Sequence, residues 1–171
     1  MIIRFLKEST IATVLFLMAR LYLGWTWLTS GFGKITEGFN PGGFLQGAVA
    51  EPVMQGGGTT PAYPWYIAFL ENVAIPNAGL FGFLVMWGEV LVGAGLIVGL
   101  FTTTAAFFGG TMNMAFLLAG TVSTNPVMLI LAILILVGKG NAGKIGLDRF
   151  APAVKEKIGR RPKEQQTPKA A

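Results

Sequence analysis

The stretch from Leu80 to Phe101, LFGFLVMWGEVLVGAGLIVGLF, is apolar throughout except for one charged residue, Glu89. A helix needs about 20 apolar residues to cross the hydrocarbon core of a bilayer. Glu89 lies nine residues after Leu80, which at a helical rise of about 1.5 Å per residue is close to the midplane. The stretch therefore predicts a transmembrane helix with an ionisable group at its centre, and such a group needs a partner.

The rest of the chain has the same character. Of its 171 residues 53% are hydrophobic and 12% are charged, which excludes an ordinary soluble domain. Arg4 and Lys7 precede the first apolar run as in a signal peptide, but Arg20 interrupts that run and no small-residue cleavage pattern follows, so we expect a retained helix. The apolar runs predict four membrane spans, at about 11–30, 80–100, 103–120 and 121–138.

The placement of charge predicts the topology. Nine of the 13 Lys and Arg residues follow Gly138 and two precede Ile11, whereas the long connection over residues 31–79 carries three glutamates. The positive-inside rule then puts both termini in the cytoplasm and the long connection outside the cell membrane. The predicted fold is an all-α, antiparallel bundle of four transmembrane helices, because an even number of spans is required and the later connections are short.

Two segments outside the spans have their own signatures. Pro64 and Pro76 bound a short segment with apolar residues at helical spacing, which predicts an interfacial helix in the outer connection, either a lid or a simple anchor. Residues 1–150 form the predicted membrane domain. Residues 151–171 are basic and rich in Pro, Gln and Lys, which predicts a disordered cytoplasmic tail that contacts anionic lipids rather than nucleic acid.

The chain contains no cysteine and no histidine. This composition excludes dithiol redox cycling, Cys-ligated iron–sulfur clusters and His-ligated haem built from this chain alone, and we expect no metal centre. Any electron transfer would use a bound organic cofactor or a partner protein.

Arg20 and Glu89 lie at similar distances from the starts of their predicted helices, which suggests a buried ion pair. Such a pair is either an internal clamp or part of a polar cavity for a substrate, a proton or a quinone. Asn113 is either a hydrogen-bonding contact between helices or a member of the same polar centre. Lys34, Trp27 and Trp87 are weaker candidates for binding, because lysines at helix ends snorkel to water and tryptophans often lie in interface belts.

Five short motifs occur in order along the chain: Arg20-x-x-x-Gly24, Gly31-x-x-Lys34, Gly88-Glu89 with Gly93, Leu96-Ile-Val-Gly-Leu-Phe-Thr, and Gly138-x-Gly140 followed by Gly146-Leu147-Asp148. Together they resemble the DoxX-like integral membrane proteins, which include the DoxD-type large subunit of thiosulfate:quinone oxidoreductase. The resemblance covers most of residues 10–150 and departs from the family pattern at Gly146, where serine is common. It implies a four-helix membrane bundle associated with quinone reduction, sulfur metabolism or oxidative-stress defence.

The sequence therefore predicts the membrane subunit of a quinone-linked oxidoreductase. In this interpretation Arg20 and Glu89 are catalytic, Lys34 helps to hold a quinone head group, and Asn113 orients either. The electron donor would be a redox partner subunit or a small reductant such as thiosulfate. Two alternatives remain open, a small transporter or channel and a non-catalytic scaffold that docks a soluble redox enzyme through its basic tail.

Overall fold

The computed structural model describes residues 2–150, and helices dominate this part of the chain. The helices are α1 (Ile2–Glu8), α2 (Thr10–Glu37), α3 (Pro41–Ala50), α4 (Pro64–Phe69), α5 (Ala78–Val98), α6 (Thr102–Leu118), α7 (Asn125–Gly138) and α8 (Gly140–Gly143). A π-helical turn, Leu70–Ala74, continues α4, and a 3₁₀ turn spans Leu147–Phe150. The tail over residues 151–171, for which we predict disorder and lipid contact, lies outside the described residues.

Local signals explain where the longest helix begins and ends. The side chain of Ser9 accepts a hydrogen bond from the backbone N–H of Ile11 at 3.2 Å and so caps the start of α2. Gly38 ends the helix in the left-handed conformation, with φ of 81°. The helix is 28 residues long, which is longer than the span of 11–30 expected from its most apolar part.

Helices α2 and α5 pack in close antiparallel contact through glycines. A Cβ atom at Gly93 would lie 2.6 Å from the backbone N of Leu28, and one at Gly31 would lie 2.9 Å from the backbone N of Val90. Only glycine permits this approach of two helix backbones. These glycines form the contact face between the two helices, and α6 packs beside α5 and along α7.

The outward surface of the packed helices is apolar. Large side chains such as Met18, Trp25 and Leu91 are more than half exposed, which is typical of a surface that contacts lipid. Among the described residues, α2 and α5 are long and apolar enough to cross a membrane. The described residues are therefore helical and include two helices that could span a membrane, whereas the crossing by α6 and α7, which have 17 and 14 residues, stays a prediction.

The outer connection folds into a cap, which we define as α3 together with α4 and its π-helical turn. The cap has its own small core, formed by Leu45, Ala48, Tyr66, Leu70 and Ala74. The hydroxyl of Tyr66 donates a hydrogen bond to the backbone O of Ala115 at 3.0 Å and so fixes the cap to α6. The helix expected from Pro64 is confirmed, while α3 was not predicted from the sequence.

Candidate functional site

Glu89 pairs with Lys34. The ammonium Nζ of Lys34 lies 2.8 Å from Oε2 and 2.9 Å from Oε1 of Glu89. The Glu89 side chain is 1% exposed, and that of Lys34 is 25% exposed. The carboxylate is thus buried inside the protein, and the lysine that binds it is partly exposed.

Helix geometry explains why these two residues meet. Every Cα–Cβ bond in a helix tilts toward that helix's N-terminus. Because α2 and α5 are antiparallel, the side chains of Lys34 and Glu89 lean along the bundle axis in opposite directions. Lys34, near the end of α2, leans back into the bundle, and Glu89 leans toward the end of α2, so the charged groups converge.

Aromatic rings surround the ammonium group. Nζ of Lys34 lies 5.8 Å from the ring centroid of Phe39 and 5.8 Å from that of Phe116. Both distances allow a cation–π attraction. The lysine is therefore held by one carboxylate and by the faces of two rings, and within residues 2–150 it makes no side-chain hydrogen bond to a backbone carbonyl.

The ion pair borders a cavity of about 280 Å³. Its walls are formed by Thr26, Trp27, Ser30, Lys34, Phe39, Phe44, Glu89, Phe116, Thr121, Ser123, Thr124, Asn125 and Met128. One wall is aromatic, and the opposite wall carries hydroxyl and amide groups from the connection between α6 and α7. We call this the ion-pair cavity, and its mixture of apolar walls with a few polar groups is typical of small-molecule sites.

A second cavity lies directly beside the first. It has a volume of about 210 Å³ and is lined mainly by apolar residues of the cap and of α5. Phe39, Phe44 and Phe116 form the partition, since they line both cavities. On the other side of Lys34, a polar cleft formed by residues 29–40 is open to the outside. The ion-pair cavity thus has an apolar neighbour and a polar neighbour.

The predicted ion pair between Arg20 and Glu89 is wrong. Helix α2 extends to Glu37, so Arg20 lies near one end of the bundle rather than at the level of Glu89. The pairing of Gly24 with Gly93 and Ile97 places Arg20 opposite Leu96 and Gly99. Arg20 and Glu89 therefore lie about ten residues apart along the antiparallel pair, which is roughly 15 Å.

Arg20 instead binds backbone carbonyls. Its Nε donates to the O of Leu96 at 3.0 Å, and its Nη1 donates to the O of Ala142 at 3.1 Å and to the O of Ile145 at 2.7 Å. The residue is 1% exposed, and a Cβ atom at Gly99 would collide with its guanidinium. Arg20 thus ties the end of α5 to the segment that follows α7.

Asp148 completes this connection, which we call the Arg20 clasp. Its Oδ1 accepts from the backbone N–H of Phe101 at 2.7 Å, and its Oδ2 accepts from that of Thr102 at 2.8 Å. Its own N–H donates to the O of Gly99 at 2.8 Å. The motifs around Leu96, Gly99 and Gly146–Asp148 therefore meet at one place in the fold.

The remaining predicted site residues separate into two groups. Trp27 is 3% exposed and lines the ion-pair cavity. Trp87 is 47% exposed and lies outside that cavity, against Phe83. Asn113 is fully buried, and its amide has no hydrogen-bond partner within residues 2–150. It lies near the level of Glu89 along the bundle, because Gly88 of α5 packs against Met112 of α6.

Sequence reasoning missed the aromatic wall. Phe39 and Phe44 belong to the outer connection, and our sequence analysis predicted no contact between them and a residue of α5. The helix-start signal Asn40-Pro41 was available, because Asn40 caps α3 by accepting from the N–H of Gly43 at 3.0 Å. That signal would have placed a short helix, and both phenylalanines, next to the end of α2.

Comparison with known proteins gives one match. A family model described as DoxX matches residues 15–124. No curated protein and no solved structure matches the chain. The matched range includes the ion pair, Arg20 and the whole cap. Because it covers more than half of the 171 residues, the chain belongs to the DoxX family.

Proposed function

We propose that the protein is the quinone-binding membrane subunit of an oxidoreductase in the cell membrane, with both termini in the cytoplasm. The observation that carries the proposal is the buried Lys34–Glu89 pair at the wall of an aromatic cavity of about 280 Å³. We place the quinone head group in this cavity and not beside Arg20.

The cavity supplies what a quinone head group needs. Phe39, Phe44 and Phe116 provide ring faces for a flat six-membered ring. The ammonium of Lys34 donates hydrogen bonds, and a quinone carbonyl oxygen would accept one of them. The adjoining apolar cavity of about 210 Å³ would take the beginning of the apolar tail behind the same rings.

Reduction of a quinone to a quinol consumes two electrons and two protons. Lys34 and Glu89 are the ionisable residues that line the ion-pair cavity, and we assign proton delivery to them. Glu89 is shielded from water, whereas Lys34 is a quarter exposed, so protons would enter through the lysine side of the pair. This order follows from exposure alone and makes Lys34 the connection between the site and the polar cleft.

The electrons must come from outside this chain's own side chains. With no cysteine and no histidine, the chain lacks the usual ligands for haem and iron–sulfur centres. We propose a redox partner subunit or a small reductant such as thiosulfate as the donor. Arg20 takes no part in this scheme except to hold the bundle together, and Asn113 is a candidate for orienting Glu89.

Quinone binding is the decisive test. The purified full-length protein in detergent micelles is titrated with a decyl-tailed benzoquinone, and binding is followed by quenching of tryptophan fluorescence, since Trp27 lines the cavity. We expect Lys34→Gln to weaken binding by about tenfold, which is the size of one lost charge-assisted hydrogen bond. Glu89→Gln should also weaken binding, because Glu89 holds the Lys34 ammonium at the wall of the cavity. The control is Glu71→Gln, which removes an exposed carboxylate of the cap.

The same proteins distinguish the alternatives. A wild-type protein that does not bind the quinone, or site variants that bind it as well as Glu71→Gln does, would overturn the proposal. Ion or solute flux in liposomes that Glu89→Gln changes would favour a transporter instead. The packing of α2 against α5 at Gly24 and Gly93 leaves no space between these two helices for such a path.

A further inference from the structure

A separate cavity lies at the other end of the bundle, where α6 begins. Its volume is about 530 Å³. It is lined by Phe101, Thr102, Thr103, Thr104, Lys139, Gly140, Gly143, Lys144, Asp148 and Arg149. We call it the basic cavity, and nothing in the proposed quinone chemistry uses it.

The charge around this cavity is positive. Lys139, Lys144 and Arg149 contribute three positive charges, and Asp148 contributes one negative charge. The carboxylate of Asp148 is already engaged by two backbone N–H groups of the α6 start. The cavity therefore has an excess of positive charge, and the carboxylate of Asp148 already accepts two backbone hydrogen bonds within the protein.

The start of α6 adds donors to this charge. The first four N–H groups of a helix have no acceptor within the helix. Asp148 accepts from Phe101 and Thr102, which leaves the N–H groups of Thr103 and Thr104 facing the helix end, where the helix dipole favours an anion. Helix α6 has 17 residues, so its dipole is fully developed.

An apolar groove runs from the basic cavity along the outside of the bundle. It lies between α5 and α6, has a volume of about 390 Å³, and is lined by residues that include Leu91, Ala94, Val98 and Phe108. Phe101 and Thr104 line both the groove and the basic cavity. A polar, cationic end thus continues directly into an apolar channel on the lipid-facing surface.

We infer that this composite site binds an anionic phospholipid. The phosphate lies in the basic cavity between the start of α6 and the side chains of Lys139 and Lys144, and one acyl chain lies in the groove along α5. A free phosphate ion would leave the groove empty, whereas a glycerophospholipid fills both parts. The end of α5 at Val98 is where a membrane-spanning helix reaches the head-group region.

Native mass spectrometry of the full-length protein in detergent tests this inference. The protein is incubated with dioleoyl phosphatidylglycerol or dioleoyl phosphatidylcholine at equal concentration, and retained lipid is counted. We expect the anionic lipid to be retained about tenfold better. The double variant Lys139→Gln with Lys144→Gln should lose about tenfold of that retention, since each basic residue contributes to the attraction.

Two matched controls keep the test specific. Arg4→Gln with Lys7→Gln removes two charges from exposed positions of α1 and should leave retention unchanged. Val98→Trp fills the groove at a half-exposed position, and Val127→Trp places the same bulk on α7 outside it; we expect lipid loss only for the first. Equal loss in both charge variants, equal loss in both tryptophan variants, or displacement of the lipid by millimolar glycerol phosphate would overturn the inference.

Discussion

Helix α2 carries a buried cation, Arg20, and a partly buried one, Lys34, and they are held in different ways. Arg20 donates to three backbone carbonyls, and the backbone at Gly99 lies close against its guanidinium. Lys34 holds one carboxylate, that of Glu89, and faces a cavity and two aromatic rings. Carbonyls belong to the fold and cannot move aside for a ligand, but a side-chain carboxylate can share its lysine with one.

The two cations lie toward opposite ends of the bundle. Arg20 holds helices together, and Lys34 lies at the proposed quinone site. Removing Arg20 removes the link between the end of α5 and the segment after α7, and Arg20 does not line the ion-pair cavity. Removing Glu89 leaves the helices in place and changes the charge of a cavity. Substitution of Arg20 should therefore lower mainly the free energy of unfolding, whereas substitution at the Lys34–Glu89 pair should change ligand binding.

The largest effect should follow from Arg20→Ala. It leaves three backbone carbonyls without their donor, and we expect a loss of about 3–5 kcal/mol in the free energy of unfolding. The measurement is chemical denaturation in detergent micelles. Arg4→Ala serves as the control, because Arg4 forms an exposed pair with Glu8 and should change little. Similar stability of both variants would mean that the clasp does not hold the bundle.

A double-mutant cycle should show an intermediate effect at the other cation. Glu89→Gln leaves Lys34 partly buried without its partner, and we expect a loss of about 2–3 kcal/mol. Adding Lys34→Gln should recover much of this loss, whereas quinone binding stays weak in both variants. Combining Glu89→Gln with Arg20→Gln should give additive losses, since these residues do not touch.

The coupling energy from this cycle is decisive for the ion pair. A coupling energy near zero between Lys34 and Glu89 would contradict their pairing. A coupling energy above about 0.5 kcal/mol between Arg20 and Glu89 would support the ion pair expected from the sequence. Full recovery of quinone binding in the double variant would make the ion pair a structural clamp only.

Much of the fold follows from composition and spacing. The apolar runs predicted the long helices, and Pro64 predicted the helix of the cap. The error in pairing came from measuring depth from apolar runs. Helix α2 runs past its apolar part to Glu37, and this extension moves Lys34 into the bundle and leaves Arg20 near the opposite end.

The cavity could not be predicted because its walls are distant in the sequence. Phe39 and Phe44 come from the start of the outer connection, Phe116 from the end of α6, and Asn125 from the start of α7. Periodicity in a single sequence predicts which side of each helix is buried. It does not predict where along the bundle axis a residue of a loop will contact that side. The ordered family motifs indicated which residues matter without saying that Arg20 and Glu89 belong to different sites.

The close packing of α2 against α5 is tested by Gly93→Ala, for which we expect a smaller loss of stability than for the ion-pair variants. A methyl group there would meet the backbone of Leu28 and of Gly24 within 3 Å, and backbone cannot rotate away. We expect a loss of about 2 kcal/mol. Gly79→Ala in the same helix meets nothing within 4 Å and should be neutral or slightly stabilising. Equal stability of the two variants would contradict the close approach of α2 and α5.

The smallest effect should come from the cap, whose attachment by Tyr66 is tested by Tyr66→Phe. The lost hydrogen bond to Ala115 should cost about 1 kcal/mol.

Burial raises the pKa of the Tyr66 hydroxyl above its ordinary value, so folding favours the neutral phenol. This stabilisation is complete below the unfolded pKa of about 10 and is lost as the pH rises through the folded pKa. Denaturation midpoints at about pH 8 and about pH 11 should therefore fall more for the wild type than for Tyr66→Phe. Lysine titration is common to both proteins and cancels in the comparison. An equal fall in both would mean that Tyr66 does not hold the cap by a buried hydrogen bond.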